Sequence, residues 1–415
     1  MFTSIEVIPT PELEARRARC RGILRERYPE LSGIMVFSRS NIYYYTGTFA
    51  IGLLWLPLEG EPILAVRKGM ERAALEAPAT STVAYKSYSQ IAALMAEAGS
   101  AITDNFGVEQ SGLSWALGNN FSKNFNSFGF KPVDDVLNRA RSVKTPWELA
   151  KVREAGARHY QAMNNILPER MHYGMSGFDV SRTLWGIFAE LGNTGGTRMS
   201  ELGQEVVLGH VSVNENIAYP SYYNGPLGVK GIHPTAAYMG CSSEIWDKGG
   251  FVAIDVGFVW EGYNSDKTLL YFAGKEKDIP DWARRAQDCC MAIQARIAEQ
   301  LKPGMIPSGL YRESLEMAAK AGYAEGYMGY AGNRVPFMGH SLGLQVDEWP
   351  VIANRFDEPL EENMVMALEP KITVPGKGMV GVENTFIVKA MGGECVSAGS
   401  ADLFVDPGDF IFVDK

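Results

Sequence analysis

Little in this 415-residue chain offers a covalent framework. The five cysteines, Cys20, Cys241, Cys289, Cys290 and Cys395, are odd in number and form no C-x-x-C pair. Free thiols in a reducing compartment are therefore expected. Basic residues are also scarce: 39 Lys and Arg against 48 Asp and Glu leave a net charge of −9. That balance argues against the cationic surface needed to displace counterions from phosphates, so no nucleic-acid partner is expected. The one basic run, residues 16–27, is interrupted by Glu26 and accompanied by Leu13, Cys20, Ile23 and Leu24 at helical spacing, the pattern of a solvated helix face. No charged segment followed by an apolar core opens the sequence, so a signal peptide is not expected and the cytoplasm is the expected location. Residues 42–58 are uncharged, but Gly47, Gly52, Pro57 and three consecutive tyrosines fit buried strands better than a membrane span. Histidine is rare too, with five in the chain.

The length suggests two domains of unequal size. Up to about residue 135, strand-like runs (33–37, 53–57, 62–66) alternate with helix-like ones (11–28, 90–98), which describes a smaller N-terminal α/β domain, residues 1–140. The remainder, 141–415, reads as α+β. It opens on Thr145-Pro-Trp-Glu148, where Thr, Pro and Glu have the spacing of a capping box with proline at the first helical position. A helix should run from there to about residue 166. Further helices are expected from Ser176 to Gly192, from Pro280 to Leu301 and from Ser308 to Ala321, and strands over 250–258, 267–272, 364–374, 380–388 and 409–413.

Acidic residues interrupt these apolar strand runs. Asp255 ends Phe251-Val-Ala-Ile254 and Asp266 precedes Leu269-Leu-Tyr-Phe272, with Glu261-Gly262 as the obvious turn between them. A β-hairpin would bring the two aspartates near each other. Glu369 follows Met364-Val-Met-Ala-Leu368, and Glu383 sits within Met379-Val-Gly-Val-Glu-Asn-Thr-Phe-Ile-Val388. Each acid alone could be a strand-end surface residue. Together they are costly to bury unless a cation compensates them. With His340 they form an oxygen-rich set suited to hard or borderline divalent ions such as manganese, iron, cobalt or zinc.

The motifs Ile254-Asp-Val-Gly257, Gly262-Tyr-Asn-Ser-Asp266, Gly339-His-Ser-Leu-Gly343, Leu368-Glu-Pro370 and Gly381-Val-Glu-Asn384 resemble, in order, those of the pita-bread metallopeptidase family of prolidase, aminopeptidase P and methionine aminopeptidase, to which metal-free creatinase is related. The resemblance spans about residues 145–400, and Asn41-Ile-Tyr-Tyr-Tyr-Thr-Gly47 resembles the family's N-terminal domain. It implies a C-terminal pita-bread fold behind the smaller α/β domain. It also implies two divalent metal ions, with Asp255 on one, His340 and Glu369 on the other, and Asp266 and Glu383 bridging. By the same resemblance Glu369 is the candidate proton shuttle, the substrate is a Xaa-Pro peptide cleaved by an aminopeptidase or dipeptidase, and the protein is a homodimer.

The pattern departs from the proline-specific branch in three places. Asp347 stands where a second histidine is usual, Ser221 follows Pro220 where a Pro-His pair is usual (His210 and His233 being imperfect substitutes), and Gly381 replaces an arginine. Asp347-Glu-Trp-Pro350 also resembles the dimethylsulfoniopropionate lyase branch, in which an aspartate removes a carbon-bound proton. Asp347 is thus a candidate base for a C–S lyase, although Gly257 stands where that branch has a further acid. A metal-free binding module of the same fold is the non-enzymatic alternative. Gly339-His-Ser-Leu-Gly343 also matches a nucleophile elbow at Ser341, but no histidine follows it in the chain, as that fold requires. Tyr222, Tyr223, Trp260, Tyr327, Phe337 and Trp349 lie near the motifs as candidate pocket or core aromatics.

Overall fold

The chain divides into two units, Met1–Arg141 and Ser142–Lys415, and a computed structural model describes residues 2–103, 105–199, 205–398 and 410–415. The first unit is built on a six-stranded sheet of β1 (Gly33–Val36), β2 (Ile51–Pro57), β3 (Ile63–Lys68), β4 (Ser81–Ala84), β5 (Phe106–Val108) and β6 (Phe130–Pro132), in the order β4-β3-β2-β1-β5-β6. One face packs Met35, Leu53 and Trp55 against Phe106, Phe121 and Phe125.

Two expectations change here. Tyr43, Tyr44 and Tyr45 lie in a helix, Arg39–Thr46, because Ser38 caps its start and Gly47, at φ 90°, ends it in the left-handed conformation. The basic helix Thr10–Arg27 is not solvated throughout: Arg16 and Arg17 are buried. Arg16 Nη1 donates to the Tyr44 carbonyl (3.0 Å) and Arg17 Nε to that of Tyr45 (3.0 Å), satisfying carbonyls that the end of the tyrosine helix leaves free.

In the second unit the Thr145/Glu148 capping box forms and opens the helix Pro146–Tyr160. The helix continues as a wider π-helical turn, Gln161–Ile166, into Leu167–Arg170. Pro168 has no N–H to give, and the ladder loosens just before it. A second capping box, Ser176/Asp179, starts Gly177–Glu190, and the later helices are Asp281–Glu299 and Pro307–Lys320.

The strands of this unit form several sheets. A short pair is made by β7 (Thr197–Arg198) and β8 (Glu205–Val206). A four-stranded sheet has the order β19-β11-β10-β9, from β9 (Gly209–Val213), β10 (Phe251–Trp260), β11 (Tyr263–Ala273) and β19 (Ile411–Val413). Asp409, expected in the last strand, lies outside the described residues. A five-stranded sheet has the order β13-β12-β14-β17-β18, from β12 (Phe337–Ser341), β13 (Glu348–Ala353), β14 (Val365–Leu368), β17 (Asn384–Ile387) and β18 (Glu394–Cys395). A final pair joins β15 (Lys371–Val374) to β16 (Gly378–Gly381).

The runs 364–374 and 380–388, expected as single strands, are therefore each broken. Pro370 cannot donate to a ladder, and across Glu369-Pro370 the chain leaves the five-stranded sheet for the β15-β16 pair. Across Val382-Glu383 it returns. Both breaks fall at a candidate ligand, so each glutamate is held between two sheets rather than within one.

Candidate metal centre

The hairpin of β10 and β11 closes on Glu261-Gly262, with φ of 47° and 89°, the conformation of a two-residue type I′ turn. Its register pairs Asp255 with Thr268 and Asp266 with Gly257. The aspartates are thus diagonal neighbours two residues apart in register, on the same face, rather than directly opposed. His340 lies on β12 opposite Ala367 of β14. Glu369 follows β14, its N–H donating to the Met338 carbonyl (3.0 Å), and Glu383 bridges to Thr268, whose Oγ1 donates to Glu383 Oε2 (2.7 Å). Five side chains from four stretches of sequence thereby reach one cleft, also lined by Thr197, His210, Tyr223 and Asp347.

His340 Nε2 lies 4.0 Å from Asp266 Oδ2, 3.8 Å from Glu369 Oε1 and 3.9 Å from Glu383 Oε1. These separations are too long for hydrogen bonds. The other oxygens of the two glutamates turn the opposite way. Lys371 Nζ, fully buried, lies 2.8 Å from Glu369 Oε2, 3.0 Å from Glu383 Oε2 and 3.3 Å from Asp255 Oδ2. Each glutamate therefore gives one oxygen to a histidine side and one to a lysine side.

Electrostatics follow this division. Burial raises Asp266 well above the usual carboxylate range, and Glu383 and Asp255 add to it. Burial likewise raises Glu383 and Glu369, and the pull of Lys371 does not cancel it because other carboxylates stand close to both. Asp255 goes the other way: burial would raise it, but Lys371 and His210 outweigh burial and lower it. His340 is raised, since Asp347, Glu369 and Asp266 overcome the effect of burial. For Lys371, burial is outweighed by Asp255, Glu369 and Glu383, which hold it firmly protonated.

The donor set fits divalent cations. Asp266, His340 and Glu383 offer one group of ligand atoms, and Asp255, Glu369 and Glu383 another, with the atoms of each group within 4.8 Å of one another. Carboxylates that burial pushes toward protonation are those that a cation would return to the ionised form, with release of protons.

Of the other residues singled out in the sequence, Asp347, at φ 64°, lies at the cleft with Oδ1 3.8 Å from His340 Nδ1. His210 pairs with Asp255 across β9 and β10, and burial lowers its basicity. His233 is exposed and contacts Thr235. Ser221 lines a separate pocket with Tyr219 and His233. Tyr223 lines the cleft and packs on His210, whereas Tyr327 belongs to the core. Gly257 carries no acid, and a Cβ there would stand 2.7 Å from Thr197 Oγ1.

Lys371 was not singled out from the sequence. Its signal was available: a lone cation inside the apolar run 364–374, two residues after a candidate ligand.

Residues 16–143 match the Creatinase/Prolidase N-terminal domain, and residues 150–390 match metallopeptidase family M24. The chain is 25% identical over 366 residues to a Xaa-Pro dipeptidase of Pyrococcus furiosus, covering 88% of this chain and 92% of that one. It is 26% identical over 401 residues to a probable dipeptidase PepE of Mycobacterium tuberculosis, covering 91% and 92%. Among solved structures, a Xaa-Pro dipeptidase from Bacillus anthracis superposes with a TM-score of 0.77 at 21% identity, covering 95% of this chain and 99% of that one. An X-Pro aminopeptidase from Thermotoga maritima gives 0.72 at 20%, covering 92% and 98%. With the family matched over more than half of its length and acidic and histidine donors converging at the matched motifs, this chain belongs to metallopeptidase family M24.

Proposed function

We propose that this metallopeptidase hydrolyses the bond preceding proline in short peptides, as a Xaa-Pro aminopeptidase or dipeptidase, with Asp255, Asp266, His340, Glu369 and Glu383 as metal ligands. The observation that carries the reading is the convergence of four carboxylates and one imidazole on a single cleft. The names of the relatives supply the substrate class. Divalent ions at such a site acidify water and polarise the scissile carbonyl. The donor chemistry suits manganese, cobalt, zinc or iron.

The chain's own residues would do the rest. Glu369, buried at the cleft, would take a proton on its carboxylate and hand it to the leaving amine. His340 orients through its Nδ1, 3.3 Å from the Ser341 carbonyl. Asp347 stands beside it as a candidate acceptor for a positively charged substrate group.

We take residues 1–140 and 141–415 as the N-terminal and catalytic domains. A cytoplasmic homodimer is part of the same proposal, and the five free cysteines support a reducing compartment. The lyase alternative has no support in the relatives, and Gly257 lacks the acid that branch carries. The test is turnover of Xaa-Pro dipeptides and Xaa-Pro-Xaa tripeptides by protein loaded with Mn2+, Co2+ or Zn2+ and by chelator-treated protein. Metal-dependent release of the N-terminal residue is expected. Absence of Xaa-Pro cleavage with every metal, or cleavage unchanged by chelator, would refute the proposal.

A further inference from the structure

Among the described residues, Lys371 is a cation held directly by three acids of the cluster, and its surroundings are built for it. The side chain is fully buried, and the three donors of its ammonium meet three carboxylate oxygens, Asp255 Oδ2, Glu369 Oε2 and Glu383 Oε2. Across the β15-β16 pair its register partner is Gly381. A Cβ on Gly381 would stand 2.5 Å from Lys371 Cγ and 2.7 Å from both Lys371 Cα and the Pro370 carbonyl oxygen. The glycine at 381 is therefore what lets the lysine stem reach the cluster. One of the three sequence departures thus has a structural partner.

The three residues that grip the ammonium are also one of the two groups able to hold a cation. The other group, on the His340 side, has no ammonium among its donors. A divalent ion on the lysine side would compete for the same oxygens as Lys371 and would be repelled by it at close range.

We propose that Lys371 is a built-in cation that holds the Asp255–Glu369–Glu383 corner, so that divalent ions bind unequally: one tightly at Asp266, His340 and Glu383, and a second only in competition with the lysine. This rests on the metal-ligand reading above. It goes beyond that reading in assigning the order and the cause.

The experiment is calorimetric titration of chelator-treated full-length protein with Mn2+, alongside Lys371→Met, whose unbranched stem keeps the volume without the charge. The wild type should bind one ion tightly and a second weakly or not at all. In Lys371→Met the second site should tighten by about tenfold or more relative to the first, because a unit positive charge beside it is gone. EPR should show isolated Mn2+ in the wild type at one equivalent and an exchange-coupled pair in the variant at two. Equal sites in the wild type, or a gap unchanged by the substitution, would overturn the proposal. Two variants that retain the lysine give a second test, should Lys371→Met fail to fold. Asp255→Asn should leave the tight ion in place, while His340→Ala should lose it, and the reverse pattern would overturn the assignment. Absence of any ion in wild type and variant alike would overturn the metal reading as well, which separates the two failures.

Discussion

Gly381→Ala is a small change whose cost can be worked from the geometry. The added carbon would meet Lys371 Cγ at 2.5 Å, and Lys371 Cα and the Pro370 carbonyl oxygen at 2.7 Å. Two of these three atoms are backbone, so a rotamer change in Lys371 alone cannot relieve the overlap. The β15-β16 pair has to spread. Overpacking of this kind costs about 1–3 kcal/mol. For a unit of this size each kcal/mol lowers the melting temperature by about 2–4 °C, so a drop of about 2–12 °C is expected.

The site should respond as well, because Glu369 and Glu383 flank the two strands that would move apart. Weaker binding of the tight ion, which shares Glu383, should accompany the lower melting point. Gly332→Ala is the control, since a Cβ there meets nothing within 4 Å and should change stability by no more than about 0.5 kcal/mol. The assay is thermal unfolding of the three proteins without metal, followed by Mn2+ titration. If Gly381→Ala melts with the wild type and Gly332→Ala, the close packing of lysine against glycine is wrong and the account of that corner fails with it.

Other expectations follow from single residues. His340→Ala removes the only imidazole among the proposed ligands. Loss of even an outer partner of a ligand costs about 10–100-fold in affinity, so a direct ligand should cost at least that much, measured by metal titration. His159 is buried against Phe188 and Phe258, and burial, then Lys267, holds it well below the usual histidine range. Its folded form is neutral, so the stability it allows is present above the unfolded histidine value, near about 6.5, and is lost as pH falls below that. Melting temperature should decline from pH 7 toward pH 5, and His159→Phe should flatten part of that decline; an identical pH profile would count against the buried neutral state. Thr145→Ala removes the side-chain half of a capping box whose Glu148 also accepts from Tyr263 Oη at 3.0 Å. A loss of about 0.5–2 kcal/mol is expected in denaturant unfolding.

Local chemistry was legible in the sequence wherever it acts over a few residues. The capping box at Thr145, the helix start at Ser176, the Glu261-Gly262 turn and the apolar runs of β10 and β11 each depend on neighbours in the chain, and each forms as read. The acids also declared themselves, because an ionisable group inside an apolar run has to be compensated by something. The family motifs then ordered them into one proposed site.

What sequence alone could not decide was anything set by which strand lies beside which. The runs around Glu369 and Glu383 read as unbroken strands because period and hydrophobicity do not show that a chain changes sheets in mid-run. The diagonal offset of Asp255 and Asp266 is a matter of hairpin register. The burial of Arg16 and Arg17 depends on the end of another helix, whose carbonyls they satisfy. Lys371 looked like an ordinary strand lysine until β15 was laid against β16, where the missing side chain at Gly381 opens the path for its stem. Residue types and local spacing fix which groups are available. Only the packing of segments distant in sequence fixes which charges meet, since Coulomb energy and burial depend on distances that the chain order does not contain.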